Sequence, residues 1–138
     1  MHRRLVSGLG LAVVAGLVGA CEEPEISKLT YAEVSEAAKG KDAAAFRSYF
    51  ADLRGQRVAW SGRVVDARTE HGDEFAELGI LEVDLDGAAP EEDAILQVSV
   101  STAREATPGQ EVRFTGIIRE FEWTNRRPVL RLEVREIE

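Results

Sequence analysis

The chain writes one phrase twice. Gly55–Val65 reads GQRVAWSGRVV, and Gly109–Ile118 reads GQEVRFTGII. In both, Gly-Gln is followed in register by Val, an aromatic ring, Ser or Thr, and Gly. In the first copy Val58 and Trp60 point one way, and Gly62 interrupts the alternation before Val65 and Ala67. In the second, Val112 and Phe114 point inward, and Gly116 interrupts in the same place. Glycine inside a strand is unfavourable unless the chain bends or bulges there. Long strands bent at their middles are what a small closed barrel needs, because a sharply coiled strand serves both sides of it. Neither copy has enough flanking chain to bury a core of its own. The repeat therefore predicts two corresponding strands of one barrel, with Gly62 and Gly116 as equivalent bends.

The rest of the second half supports that reading. Five runs alternate as strands do: Gln56–Ala67, Ile80–Leu85, Ala94–Ser101, Gln110–Glu122 and Pro128–Ile137. Leu81, Val83 and Leu85 alternate with Glu82 and Asp84; Leu96, Val98 and Val100 with Gln97 and Ser99; Leu130, Leu132 and Val134 with charged neighbours. One apolar and one wet face per strand is the pattern of antiparallel sheets. No long helix separates the runs, which excludes a parallel α/β fold.

Two short helices come before the strands. Thr30 and Glu33 have the spacing of a capping box over a helix at Tyr31–Lys39, ended by Gly40. Asp42 caps a second helix in AAAFRSYFADL, where Phe46, Tyr49, Phe50 and Leu53 share one face. Helical spacing of aromatics is what packing alone demands, so this face is read as a plug for the core rather than a ligand platform. The fold class is thus mainly β: a five-stranded barrel behind one or two short N-terminal helices, with a helical turn at Thr102–Ala106.

Long first and fourth strands, the two glycine bends and that turn resemble the OB-fold. The segments YFADLRGQRVAWSGRV and TPGQEVRFTGII more narrowly resemble the exported, tRNA-anticodon-binding-like OB family found among bacterial lipoproteins. The resemblance covers residues 31–138 and implies a binding module. It implies no settled activity.

The opening MHRRLVSGLGLAVVAGLVGAC gives a cellular address. Arg3 and Arg4 make a basic start, Leu9–Val18 is apolar but short for a membrane span, and Gly19-Ala20 suits a signal peptidase. A short transmembrane anchor is the competing account. Val18-Gly19-Ala20-Cys21 resembles the lipobox of bacterial lipoproteins, in which the Cys is lipidated. Cys21 is the chain's single cysteine. Several acyl chains together hold a protein to a membrane far better than one does. Residues 1–20 are therefore expected to be a signal peptide, 21–30 a solvated tether, and 31–138 the domain. The location is the envelope, facing the periplasm. Glu22 is not the aspartate associated with inner-membrane retention, which favours the outer membrane.

Without Arg3 and Arg4, 15 basic residues face 25 acidic ones, a net charge of −10 for residues 21–138. Nucleic-acid binders usually carry the opposite balance, so nucleic acid is an unfavoured partner. Such a body also repels anionic lipid headgroups.

Candidate chemistry is thin. His71 lies beside Asp73, Glu74 and Glu77, but the other histidine, His2, leaves with the expected signal peptide, no Cys remains free, and the spacing matches no metal-ligand pattern. Asp84-Leu85-Asp86-Gly87 resembles the start of a calcium loop without its closing Glu. Ser61, Ser99 and Ser101 fall in expected strands, away from any nucleophile turn. The sequence thus predicts no enzyme, no metal and no cofactor.

Binding remains. OB-folds bind along strands two and three, between the 1–2 and 4–5 loops, here Arg68–Gly79 and EFEWTNRRP. The second loop gathers Phe121, Trp123, Arg126 and Arg127, a combination enriched at protein hot spots and single-strand nucleic-acid sites. Those residues are the candidate ligand site, unless Trp123 covers the barrel end and the arginines balance nearby acids. The expected partners are the membrane, through Cys21, and an envelope protein or small polar ligand. Single-stranded nucleic acid or oligosaccharide is the alternative.

Overall fold

The computed structural model describes residues 23–72, 76–87 and 91–138. The expected signal peptide, Cys21, Asp73 and Glu74 lie outside them. Thr30 caps α1 (Tyr31–Ala38) with both halves of the capping box formed, and the Asp42 carboxylate caps α2 (Ala43–Phe50) through Ala45 N. Phe46 and Phe50 point from α2 into the core and are fully buried. Each such burial stabilises by about 1.5–3 kcal/mol.

Five strands follow: β1 (Arg57–His71), β2 (Glu77–Asp84), β3 (Ala94–Val98), β4 (Glu111–Thr124) and β5 (Arg127–Ile137), with α3 (Val100–Glu105) between β3 and β4. They close into a barrel in the order β1-β2-β3-β5-β4, with β3 and β5 parallel and all other neighbours antiparallel. The expected mainly-β barrel with short helices is what forms.

The repeated phrase is a seam. Its two copies are antiparallel neighbours, with Trp60 opposite Phe114, Val58 opposite Gly116 and Gly62 opposite Val112. The ends match as well. Gly55 N donates to Ile118 O, and Gly109 N to Val64 O, both at 2.8 Å. Ile118 N returns to Gln56 O and Val64 N to Gln110 O. Gly55 and Gly109 have φ of +88° and +91°, values only glycine adopts readily as a helical turn hands over to a strand. Sequence duplication has become local two-fold symmetry around the Trp60–Phe114 pair.

Several boundaries differ from expectation. In β1, Val64 rather than Val65 is buried, so Gly62 keeps the inward phase and the slip comes at a bulge between Val64 and Asp66. There β1 leaves β4 and takes up β2. The third strand stops at Val98 because Ser99 turns to cap α3, its hydroxyl accepting from Thr102 N. Ser99 and Ser101 are therefore a cap and a helix residue, not strand residues. EFEWTNRRP is not a long loop. Asn125 and Arg126, with φ of 52° and 65°, make a two-residue turn, so Phe121 and Trp123 belong to β4 and Arg127 to β5. Such positive-φ pairs match the twist of hairpin strands, which is why the strands run almost to the tip.

Among the described residues no helix is long and apolar enough to cross a membrane.

Candidate binding groove

The residues expected at the hairpin tip are separated by the strand pleat. Phe121 and Trp123 lie over α2, their ring centroids 4.9 and 5.9 Å from that of Phe46. Phe121 also meets Phe50 at 4.9 Å. These rings join the helix to the barrel. Arg127 turns the other way, donating to Asp93 Oδ1 at 2.9 Å. Arg126 stays exposed at the turn. Two of the four candidates pack together, one pairs internally, and one is free to meet solvent.

Among the described residues Asp93 is the buried charge, 4% exposed. Its carboxylate accepts from Leu85 N at 2.7 Å, Asp86 N at 3.2 Å and Arg127. Burial pushes its carboxyl above the usual range, against the pull of those two amides. Burial, with the charge of this carboxylate nearby, holds the Tyr31 phenol well above its ordinary value. The Asp93 bonds tie both ends of the β2–β3 loop to β5. Asp84, Asp86 and Asp93 place three carboxylate oxygens within 4.8 Å of one another. They are the residues best placed for a cation. Yet Asp84 Oδ1 accepts from the Asp86 and Gly87 amides, and Arg127 supplies counter-charge to Asp93. His71 faces Glu77 across the β1–β2 ladder and is not one of the group.

The face that OB-folds commonly use has Ile80, Ile95 and Val129 buried at its middle. Its arginines are already answered by acids. Arg68 meets Asp66 at 3.3 Å, Glu70 at 2.7 Å, and Glu82. Arg131 meets Glu122, and Arg119 meets Glu133, each at 3.1 Å. A polyanion would have to displace these carboxylates, then lie among them.

A concavity lies elsewhere. A groove of about 620 Å³ opens where the first half of β1, the start of β4 and the end of β5 meet. Trp60, Phe114, Leu85 and Ile137 give it an apolar lining; Tyr31, Ser61, Arg113, Thr115, Glu136 and Glu138 add polar groups. Trp60 is held by Nε1 donating to Leu29 O at 2.8 Å and by the Tyr31 ring edge, at 5.7 Å between centroids. Arg113 pairs with Glu138 at 2.9 Å. A lining in which polar groups surround an apolar floor, in the volume range of small-molecule sites, can take a ligand with polar substituents. The sequence reading pointed Trp60 and Phe114 inward, and both are core residues, 8% and 4% exposed, that floor this groove; the concavity above them was not foreseen. The repeat held the clue, since matching aromatics on paired strands must meet.

The N-terminal segment lies on the barrel beside this groove. Glu23 pairs with Arg57 at 3.3 Å and Arg135 at 2.5 Å, and Ile26 bridges to Arg57 in parallel. Ser27 N donates to Arg57 O at 2.6 Å. The part of the expected tether that is described is thus in contact with the domain.

No family model matches the chain, and neither does any curated protein. Among solved structures, it is similar to a protein of Klebsiella pneumoniae subsp. pneumoniae MGH 78578 described as a "putative nucleic acid-binding lipoprotein". The two share 15% identity with a TM-score of 0.56, over 80% of this chain and 92% of that one. At that identity the likeness is one of fold.

Proposed function

We propose that this chain is a non-enzymatic binding module of the bacterial envelope, lipid-anchored through Cys21 and facing the periplasm. Its β1–β4–β5 groove takes a small polar ligand or a side chain of a partner protein. The observation that carries this reading is the groove itself, an open volume ringed by polar groups over a floor that includes the braced, nearly buried Trp60 and Phe114. The leader and Val18–Cys21 support the anchor, as does the fold likeness to a lipoprotein. Outer-membrane residence follows from Glu22 on the same reasoning.

The groove is preferred to the hairpin because Phe121 and Trp123 are engaged with α2, and Arg127 with Asp93. Nucleic acid is the second reading, favoured by the description of the Klebsiella protein and opposed by the ion-paired arginines around Ile80 and Ile95. Crosslinking and pull-down from envelope fractions test the proposal. Ser61→Trp, which fills the groove from an exposed position, should abolish capture while the protein stays folded. Arg126→Glu should leave capture unchanged. Capture that survives Ser61→Trp and fails in Arg126→Glu moves the site to the hairpin. Capture of single-stranded nucleic acid that weakens steeply with salt favours the second reading.

A further inference from the structure

An anchored domain on a flexible leash can face any direction; one whose leash is pinned cannot. Nine residues of flexible chain, from Cys21 to Thr30, would average roughly 16 Å end to end and leave orientation free. Here the chain is already on the barrel at Glu23. Two residues from Cys21 to Glu23 span at most about 7 Å.

Lone surface ion pairs hold little. This attachment has more. The Glu23 carboxylate is shared by two arginines, and Arg57 is itself mostly buried, with 17% of its side chain exposed. The Arg57 fork also reaches Glu136 at 3.1 Å and Thr115 Oγ1 at 3.3 Å. Behind Glu23 come the Ser27–Arg57 backbone bond and the indole bond to Leu29 O. Ile26, 49% exposed, sits on this same segment. Thr115 and Glu136 are part of the groove's lining, so clamp and groove share a wall.

Resting on the lipid-anchor reading above, we infer that the Glu23–Arg57–Arg135 clamp holds the barrel on a short tether close to the bilayer in one orientation, despite the repulsion between its net negative charge and anionic headgroups. The partner of this surface is the lipid headgroup layer. The groove's Thr115–Glu136 wall lies on the membrane side, so the groove is presented to ligands at the bilayer surface. The β4–β5 turn is the distant reference, because Thr124 lies nine residues along β4 from Thr115, up to about 30 Å of strand.

The test uses the full lipidated chain on phosphatidylethanolamine/phosphatidylglycerol vesicles carrying a headgroup nitroxide. Cys21 is the only native cysteine, so a fluorophore can be placed on Ala59→Cys or Thr124→Cys. Quenching should be several-fold stronger at position 59 than at 124. That contrast should collapse in Glu23→Ala. It should collapse too when a Gly-Ser linker of about ten residues is inserted between Glu22 and Glu23, which spares the clamp but lengthens the leash. Equal quenching at both positions, in a chain that floats with the vesicles, overturns the orientation alone. So does a contrast that survives both changes. A chain that does not float fails the anchor reading, and the orientation with it.

Discussion

The two copies of the repeated phrase share a backbone and differ in what leans on them. In the first, a built Cβ on Gly62 would lie 2.6 Å from Asp84 O and 2.9 Å from Leu85 Cδ2. In the second, a Cβ on Gly116 would lie 3.1 Å from Glu133 O, with its next neighbours at 3.5 Å. The first copy also carries the N-terminal segment, on Arg57 and Trp60. At those positions the second has Glu111, paired with Arg63, and Phe114, which offers no hydrogen bond. Two-fold symmetry in the ladder therefore does not mean equal tolerance. The copy at which β1 changes partner is the tighter one.

Substitution should expose that asymmetry. Gly62→Ala sets a methyl against a backbone carbonyl that cannot rotate away, and should cost about 3 kcal/mol of unfolding free energy. Denaturant melts of Gly62→Ala and Gly116→Ala side by side check the claim; equal losses would remove the distinction. Trp60→Phe copies the second phrase into the first. It removes the bond to Leu29 O and should cost about 1–2 kcal/mol. Limited proteolysis near Ser27–Leu29 should quicken at the same time. Unchanged cleavage would mean that Trp60 does not hold the segment. Gly116→Ala asks a neighbour to move only a few tenths of an ångström, and about 1 kcal/mol or less is expected.

The smallest effect concerns the residue behind Gly116. A hydrogen bond from Arg119 holds the Glu133 carboxyl below its usual 4.5. A depressed carboxylate contributes stability that is complete above its unfolded pKa and lost as pH falls through the folded one. Glu133→Gln should thus flatten the loss of stability below about pH 4.5. Acid titration of the melting temperature reads it, and parallel curves for the two proteins would count against the pairing.

Local signals carried much of the architecture. Alternation at Leu81–Leu85 and Leu130–Val134 found strands, and Thr30–Glu33 and Asp42 found helix starts, because caps and pleats are short-range. The repeat found the seam, though not that its copies pair with each other. The site was less legible. Asn125-Arg126 does not advertise a positive-φ turn as Asn-Gly would, so strand residues Phe121 and Trp123 read as loop. Asp93 and Arg127 lie 34 positions apart, and only closure of the barrel makes them partners. Glu23 looked like solvated tether because its arginines arrive from β1 and β5. The groove needs three strands and Tyr31 of α1 at once, which no single stretch encodes.

The strand order has a consequence in time. β5 is the last strand made, yet it lies between β3 and β4 and pairs in parallel with the first of these. No shorter prefix of the chain can close the barrel, and the β1–β4 seam must likewise await residues some fifty positions downstream. Pairings that distant are slow to form. A nascent chain would expose the apolar edges of β3 and β4 until β5 emerged. Its vulnerability to aggregation or proteolysis should be concentrated in that interval and end abruptly when β5 arrives.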